Sequence, residues 1–154
     1  PFGKVPVLID GEIVIYEMAA ICAYLADKFF DKGLAPALDD AKRGLYYRWL
    51  FFAAGPFSAV SDNQHLQVNV TAEQKMFMGY GDYADTYQAL IQGLEQANPY
   101  LCGAQFTAAD IFVGAMLMWQ LKMNYLQSNL AIERYVTAIQ QRESFQKNPT
   151  LFGE

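Results

Sequence analysis

Clustered positive charge is missing from this 154-residue chain: its 11 Lys and Arg are scattered among 16 Asp and Glu, for a net charge of −5. Phosphate backbones need a gathered basic face, so a nucleic-acid partner is not expected. No apolar run is long enough to cross a bilayer. The longest, residues 111–119, covers about half of the roughly 20 residues a spanning helix needs, and it reads as a buried core helix. Histidine occurs once, as His65 in the polar stretch SDNQHLQ; it reads as a solvated loop residue, and no metal centre is expected. Cysteine occurs twice. Cys22 and Cys102 lie far apart in apolar surroundings and read as free buried thiols of a reducing compartment, with the cytoplasm the expected location. No motif sets a base beside either one, so neither is expected to be a nucleophile. Low-complexity runs and a signal-peptide pattern are also lacking.

What is present is apolar and ordered. Hydrophobic residues make up 53% and aromatics 15%, enough for one sizeable core or two small domains sharing an interface. Val5, Val7 and Ile9 alternate with Pro6, Leu8 and Asp10, Asp10-Gly11 offers a hairpin turn, and residues 13–16 return as a second strand. That second strand is apolar on both faces and is expected to be covered on both. From Glu17 the period changes to 3.6, with Ile21, Leu25 and Phe29 on one face of a helix over residues 18–30. Residues 31–40, with Gly33, Pro36 and three Asp, form a linker. Beyond it everything reads as helical. Residues 41–54 carry Leu45, Trp49 and Phe52 on one side until Gly55-Pro56 breaks or kinks the helix. Thr71 and Gln74 form a capping box opening a long helix to about Asn98. Further helices are expected over about 108–126 and 130–147, the last followed by Pro149. A lone hairpin is marginal in water. Its covering partners are therefore either the helical remainder or an N-terminal part preceding Pro1, and the second is favoured.

Pro6 raises the functional question. In trans, a strand proline belongs at an edge or a bulge. In cis, it would turn the Val5 backbone outward as an open edge for an extended ligand. Gly-Lys-Val-Pro-Val-Leu, a tight turn, a second strand and then Tyr-Glu-x-Ala-Ala-Ile-x-x-Tyr-Leu resembles the second half of the thioredoxin-like domain of glutathione transferases. The helical part after a proline-containing linker is similar to the rest of that family, so the resemblance covers essentially the whole chain. It implies an α+β, mostly α fold: the C-terminal part of a thioredoxin-like domain (residues 1–30, β-hairpin plus helix), a linker (31–40) and an all-α helical-bundle domain (41–154).

The resemblance also implies roles. The proline is cis in that family, and the residue before it, here Val5, pairs through its backbone with the cysteinyl part of glutathione. Lys4 would meet a carboxylate of the tripeptide. Glu17 would take the γ-glutamyl amino group, unless it serves only the helix dipole. Met18 stands where the family has Ser or Thr; a thioether donates no hydrogen bond, leaving the helix N-terminus to hold the α-carboxylate. Tyr46, Trp49 and Phe57 would wall the pocket for an electrophilic co-substrate, although aromatic stripes at helical spacing are usually core. Thr107 and Asp110 form the Asp version of a capping box, with Phe106 and Ile111 as a hydrophobic staple; Asp110 reads as structural rather than catalytic. The family activates the glutathione thiol with a Tyr, Ser or Cys in a first β-α-β unit, to which nothing here corresponds. The expectation is thus a bacterial-type glutathione transferase, cytoplasmic, homodimeric and metal-free, conjugating or reducing electrophiles in detoxification. The chain as written lacks a catalytic residue and is expected to be inactive. The alternative from another class is a non-catalytic module of the same fold used for binding or assembly.

Overall fold

The computed structural model describes residues 3–148. Strands β1 (Val7–Asp10) and β2 (Ile13–Tyr16) pair antiparallel, Val7 opposite Tyr16 and Asp10 opposite Ile13. The two-residue loop is therefore Gly11-Glu12, one residue later than the expected Asp10-Gly11. Gly11 has φ +61° and Glu12 is not in the left-handed region. A single positive φ at the first central position is the type II′ pattern, which asks for glycine there and nowhere else. Asp10 does other work: its Oδ2 accepts from the Tyr24 hydroxyl at 2.6 Å and pairs with the Lys28 ammonium, fastening the hairpin tip to the following helix. The expected cover over both faces of β2 is not there. Ile13, Val14 and Tyr16 are 58%, 50% and 40% exposed, because the sheet of the described residues has two strands and α1 packs from one side only.

Helix α1 (Met18–Lys28) buries Ala19, Ile21, Cys22 and Ala26, and a single 3-10 turn follows. One side chain then joins three segments. Arg43, buried in α2 (Lys42–Phe52), donates from Nη2 to Asp27 Oδ1 at 2.5 Å and from Nη1 to the Pro36 carbonyl at 2.8 Å. Its guanidinium also lies over the rings of Tyr46 and Tyr47, at 5.4 and 5.0 Å. This clasp fixes the hairpin-helix unit against the helical part. Breaking a fully buried pair costs about 3–5 kcal/mol; Asp27 is half exposed and water can take it, so Arg43→Ala is expected to lose about 2 kcal/mol in urea unfolding. A loss indistinguishable from that of an exposed Lys→Ala change would show the clasp to be dispensable.

The core stripe of α2 is Tyr46, Trp49, Leu50 and then Ala53; Leu45, expected inward, is 43% exposed. Gly55-Pro56 does not end the helix. Pro56 has no N–H for the α-helical ladder, and the chain accommodates it with a π turn, Ala53–Phe57, in which the Ser58 N–H reaches the Ala53 carbonyl. Helix α3 (Ser58–Leu66) continues directly, so His65 sits in a helix rather than a loop; its Nδ1 lies 2.8 Å from the Tyr125 hydroxyl.

The long helix expected from Thr71 to Asn98 is two. The Thr71–Gln74 box forms, with reciprocal bonds of 3.0 and 3.2 Å, but α4 (Ala72–Lys75) lasts one turn. It has ended by Lys75, turns carry the chain through Gly81 at φ +69°, and Asp82 caps a new helix, α5 (Tyr83–Gln96). Helix α6 (Ala108–Lys122) is the central element, packed on α1, α2 and α7, and ends four residues before the expected Leu126. The last expected helix is also split, into α7 (Leu130–Gln140) and α8 (Glu143–Gln146). Pro149 lies outside the described residues.

Candidate ligand-binding cleft

Between the hairpin unit and the helical part lies a cavity of about 180 Å³. One wall is Lys4, Val5, Pro6, Tyr16, Glu17 and Met18; the other is Ala54, Ser58 and Phe112. The five residues the motif singles out therefore meet on one wall of one cleft, although 11 positions separate Pro6 from Glu17 in sequence. The Val5-Pro6 bond is cis, as is the Asn98-Pro99 bond, which the sequence did not flag. Val5 is 92% exposed and lines the cleft.

Glu17 adopts φ +74°, ψ +115°, outside the regions comfortable for a residue with a Cβ. Its side chain makes no capping bond to the first turn of α1, the structural task a helix-start carboxylate could have had. The first turn of α1 thus has no side-chain cap at its positive end, and Glu17 and Met18 at that end line the cleft. Met18 is 37% exposed and offers only its thioether and its backbone.

The aromatic residues expected to wall a co-substrate pocket do not reach this cavity. Tyr46, Trp49 and Phe57 are all buried in the core, at 3% exposure or less, and none lines the cavity. An aromatic stripe at helical spacing has gone where apolar surface is worth most. Ala54, Ser58 and Phe112 line the helical side of the cavity. The one signal that could have found them is Pro56 inside a helical pattern, since a π turn re-aims the helix after it.

Asp110 lies away from this wall's chemistry and is fully buried. Its Oδ2 accepts from the Thr107 N–H at 2.8 Å and the Thr107 hydroxyl at 3.0 Å; its Oδ1 accepts from the Leu101 N–H and the Tyr135 hydroxyl, each at 2.9 Å. Burial pushes its carboxyl up from the ordinary range, against the pull of these donors. Both cysteines are free and buried, and burial pushes each thiol from 9.0 up to about 11. The folded state keeps a proton that the unfolded chain releases above pH 9. Folding stability should therefore fall as pH rises from 9 to 11, and iodoacetamide at pH 8 should alkylate both thiols only after unfolding. Rapid alkylation of the folded protein would contradict this burial. Among the described residues no group of His, Cys, Asp and Glu could hold a metal ion, and no helix is long and apolar enough to cross a membrane.

A two-stranded β-hairpin and helix, clasped to an all-α part across a cleft, defines the class. No family model matches the chain. Glutathione S-transferase F14 of Arabidopsis thaliana is 30% identical over 122 residues, which cover 72% of this chain and 46% of that relative. A solved glutathione S-transferase from Actinobacillus pleuropneumoniae superposes with a TM-score of 0.75 at 27% identity, over 99% of this chain and 71% of the other. A sphingomonad glutathione S-transferase, solved with glutathione bound, gives 0.70 at 26% identity over 97% and 73%. Relatives in sequence and neighbours in structure thus agree on the glutathione S-transferase family. The chain spans 46%, 60% and 66% of the lengths of the first three curated relatives it matches.

Proposed function

We propose that the cleft binds glutathione and that the protein to which this chain belongs is a glutathione transferase. The observation that carries the reading is the meeting of Lys4, Val5, Pro6, Glu17 and Met18 on one wall. The open Val5 backbone pairs with the cysteinyl segment, as an added strand pairs with a sheet edge. Lys4 offers an ammonium to the glycine carboxylate. Glu17 receives the γ-glutamyl amino group, and the uncapped start of α1 holds the neighbouring α-carboxylate. In the reaction the thiol loses its proton to solvent, the sulfur lone pair forms a bond to an electrophilic centre and the leaving group departs with its electron pair. In reduction a second glutathione thiolate then attacks the adduct sulfur, forming glutathione disulfide as the S–C bond breaks and the carbon takes the electron pair and a proton. No metal takes part. A homodimer, a bacterial-type assignment, a cytoplasmic setting and a role in detoxification complete the proposal.

Met18 favours a second reading, a non-catalytic glutathione-binding or assembly module. It removes one hydroxyl donor to a charged group, worth about 1.5–3 kcal/mol. Calorimetric titration with glutathione, followed by turnover of an aryl halide, separates the two. Binding with turnover supports the enzyme, and binding alone the module. Glu17→Ala should weaken binding about tenfold or more through loss of a charge-assisted bond. A wild-type protein indifferent to millimolar glutathione would remove the enzyme reading and leave only an assembly module of the fold.

A further inference from the structure

We infer that the helical part carries a binding site of its own: the groove between α6, α7 and α8 takes a small aromatic carboxylate, its rings against an apolar lining and its charge on Arg142. The groove has a volume of about 270 Å³, close to the lower end of small-molecule sites. Phe106, Ile111, Ala115, Met118, Ile139 and Phe145 make the lining. Ile111, Ala115 and Met118 recur at the three- and four-residue spacing of one helix face, and Ile111 is left 43% exposed. Phe112, the next residue round α6, lines the hairpin cleft instead, and the two cavities share no residue. The inference is therefore independent of the glutathione reading.

Arg142 selects the charge of the ligand. Its guanidinium lies over the Phe106 ring, with Cζ 3.6 Å from the centroid, and 5.8 Å from the Tyr100 ring. Its Nε is buried with no hydrogen-bond partner, so part of its hydration is lost, and no carboxylate among the described residues replaces it. Asp110, the acidic residue of the groove, gives both its oxygens to the four donors named above. Glu143, next in the chain, pairs with Lys147 Nζ at 2.5 Å. A half-buried cation held against aromatic rings without a counterion is a preformed anion site. Its two Nη groups are neither buried nor hydrogen-bonded among the described residues, and they match the two oxygens of a carboxylate. The rest of the groove suits rings. Phe106 and Phe145 provide aromatic surface, and the Met118 thioether favours an aromatic neighbour.

The experiment is calorimetric titration of 1-naphthoate and of its neutral amide, 1-naphthamide, into the wild-type protein, Arg142→Gln and Ala115→Leu. Wild type should bind the acid about tenfold or more tightly than the amide, as a charge-assisted pair to a half-buried guanidinium implies. Arg142→Gln should remove that preference while binding the amide as wild type does. Ala115→Leu, which fills the groove, should weaken both ligands. Millimolar S-methylglutathione should leave the naphthoate affinity unchanged, because it addresses the other cavity. Equal affinity of wild type for acid and amide, a preference that survives Arg142→Gln, or displacement of naphthoate by S-methylglutathione overturns the site. So does a lack of saturable binding at millimolar naphthoate. Where Arg142→Gln does not fold, Ala115→Leu decides: naphthoate bound there as in wild type overturns the site as well.

Discussion

Asp110→Ala should destabilise the protein by about 3–5 kcal/mol, well beyond the about 1–2 kcal/mol expected of a helix cap alone. The difference comes from two donors that the local motif does not contain. Besides closing the Thr107 box, the carboxylate accepts from the Leu101 N–H and from the Tyr135 hydroxyl across the core. Leu101, Thr107 and Tyr135 are 7%, 0% and 1% exposed, so none of their donors can turn to water when the acceptor is removed. Each stranded buried donor costs on the order of 1–3 kcal/mol before relaxation, and a shared acceptor makes the losses cooperative. Tyr135→Phe removes one donor and leaves the acceptor satisfied, so it should cost about 1 kcal/mol. Thr71→Ala, at the exposed box that opens α4, supplies the plain-cap comparison at about 1 kcal/mol. Urea midpoints of the three variants give the order directly. An Asp110→Ala loss no larger than that of Thr71→Ala would mean that the four bonds do not act as one buried network.

The two strands and the start of α1 were legible in the sequence because each is written locally. Alternation, a turn glycine and the change of period at Glu17 need no distant partner. The errors fall where distance decides. Gly11 can serve as the second residue of one turn or the first of another; pairing Asp10 with Ile13, and Asp10 with Lys28 and Tyr24, selects the later one. The Thr71–Gln74 box announces a helix start but carries no information on its length: α4 ends at Lys75 and a separate cap at Asp82 opens α5. Arg43 looks like any surface arginine until Asp27, Pro36 and two tyrosines gather around it. The cleft divides the same way. Its hairpin wall follows from a contiguous motif, and the structure assembles all five of those residues. Its helical wall depends on which face of α2 and α3 turns outward, and the π turn at Pro56 sets that rotation. Resemblance to a family can name the helices of a pocket; the side chains that reach it are settled by packing.

Packing also makes Gly93→Ala the second large effect, with a sign opposite to that of helix propensity. In the middle of a helix, Gly→Ala ordinarily stabilises by about 0.5–1 kcal/mol. Gly44 in α2 is exposed and a Cβ there meets nothing within 4 Å, so Gly44→Ala should show that gain. At Gly93 in α5 a Cβ would stand 2.1 Å from Trp49 Cη2 and 2.2 Å from Cζ2. The indole has no room to yield: it is 3% exposed, meets Phe52 edge-on at 5.5 Å and carries the Arg48 guanidinium over its ring at 4.3 Å. A rigid ring contacted that closely moves only with the backbone, so overpacking of about 3 kcal/mol outweighs the propensity term and leaves a net loss of about 2 kcal/mol. Gly114→Ala falls between, since its Cβ meets Ile139 Cδ1 at 2.5 Å, the end of a side chain that can rotate away. Combining Gly93→Ala with Trp49→Phe, which shortens the ring at the point of collision, should recover part of the loss and appear as a favourable coupling in the double-mutant cycle. Should Gly93→Ala raise the unfolding midpoint as Gly44→Ala does, α5 does not lie against Trp49 at this distance, and the packing of α2 on α5 would need redrawing.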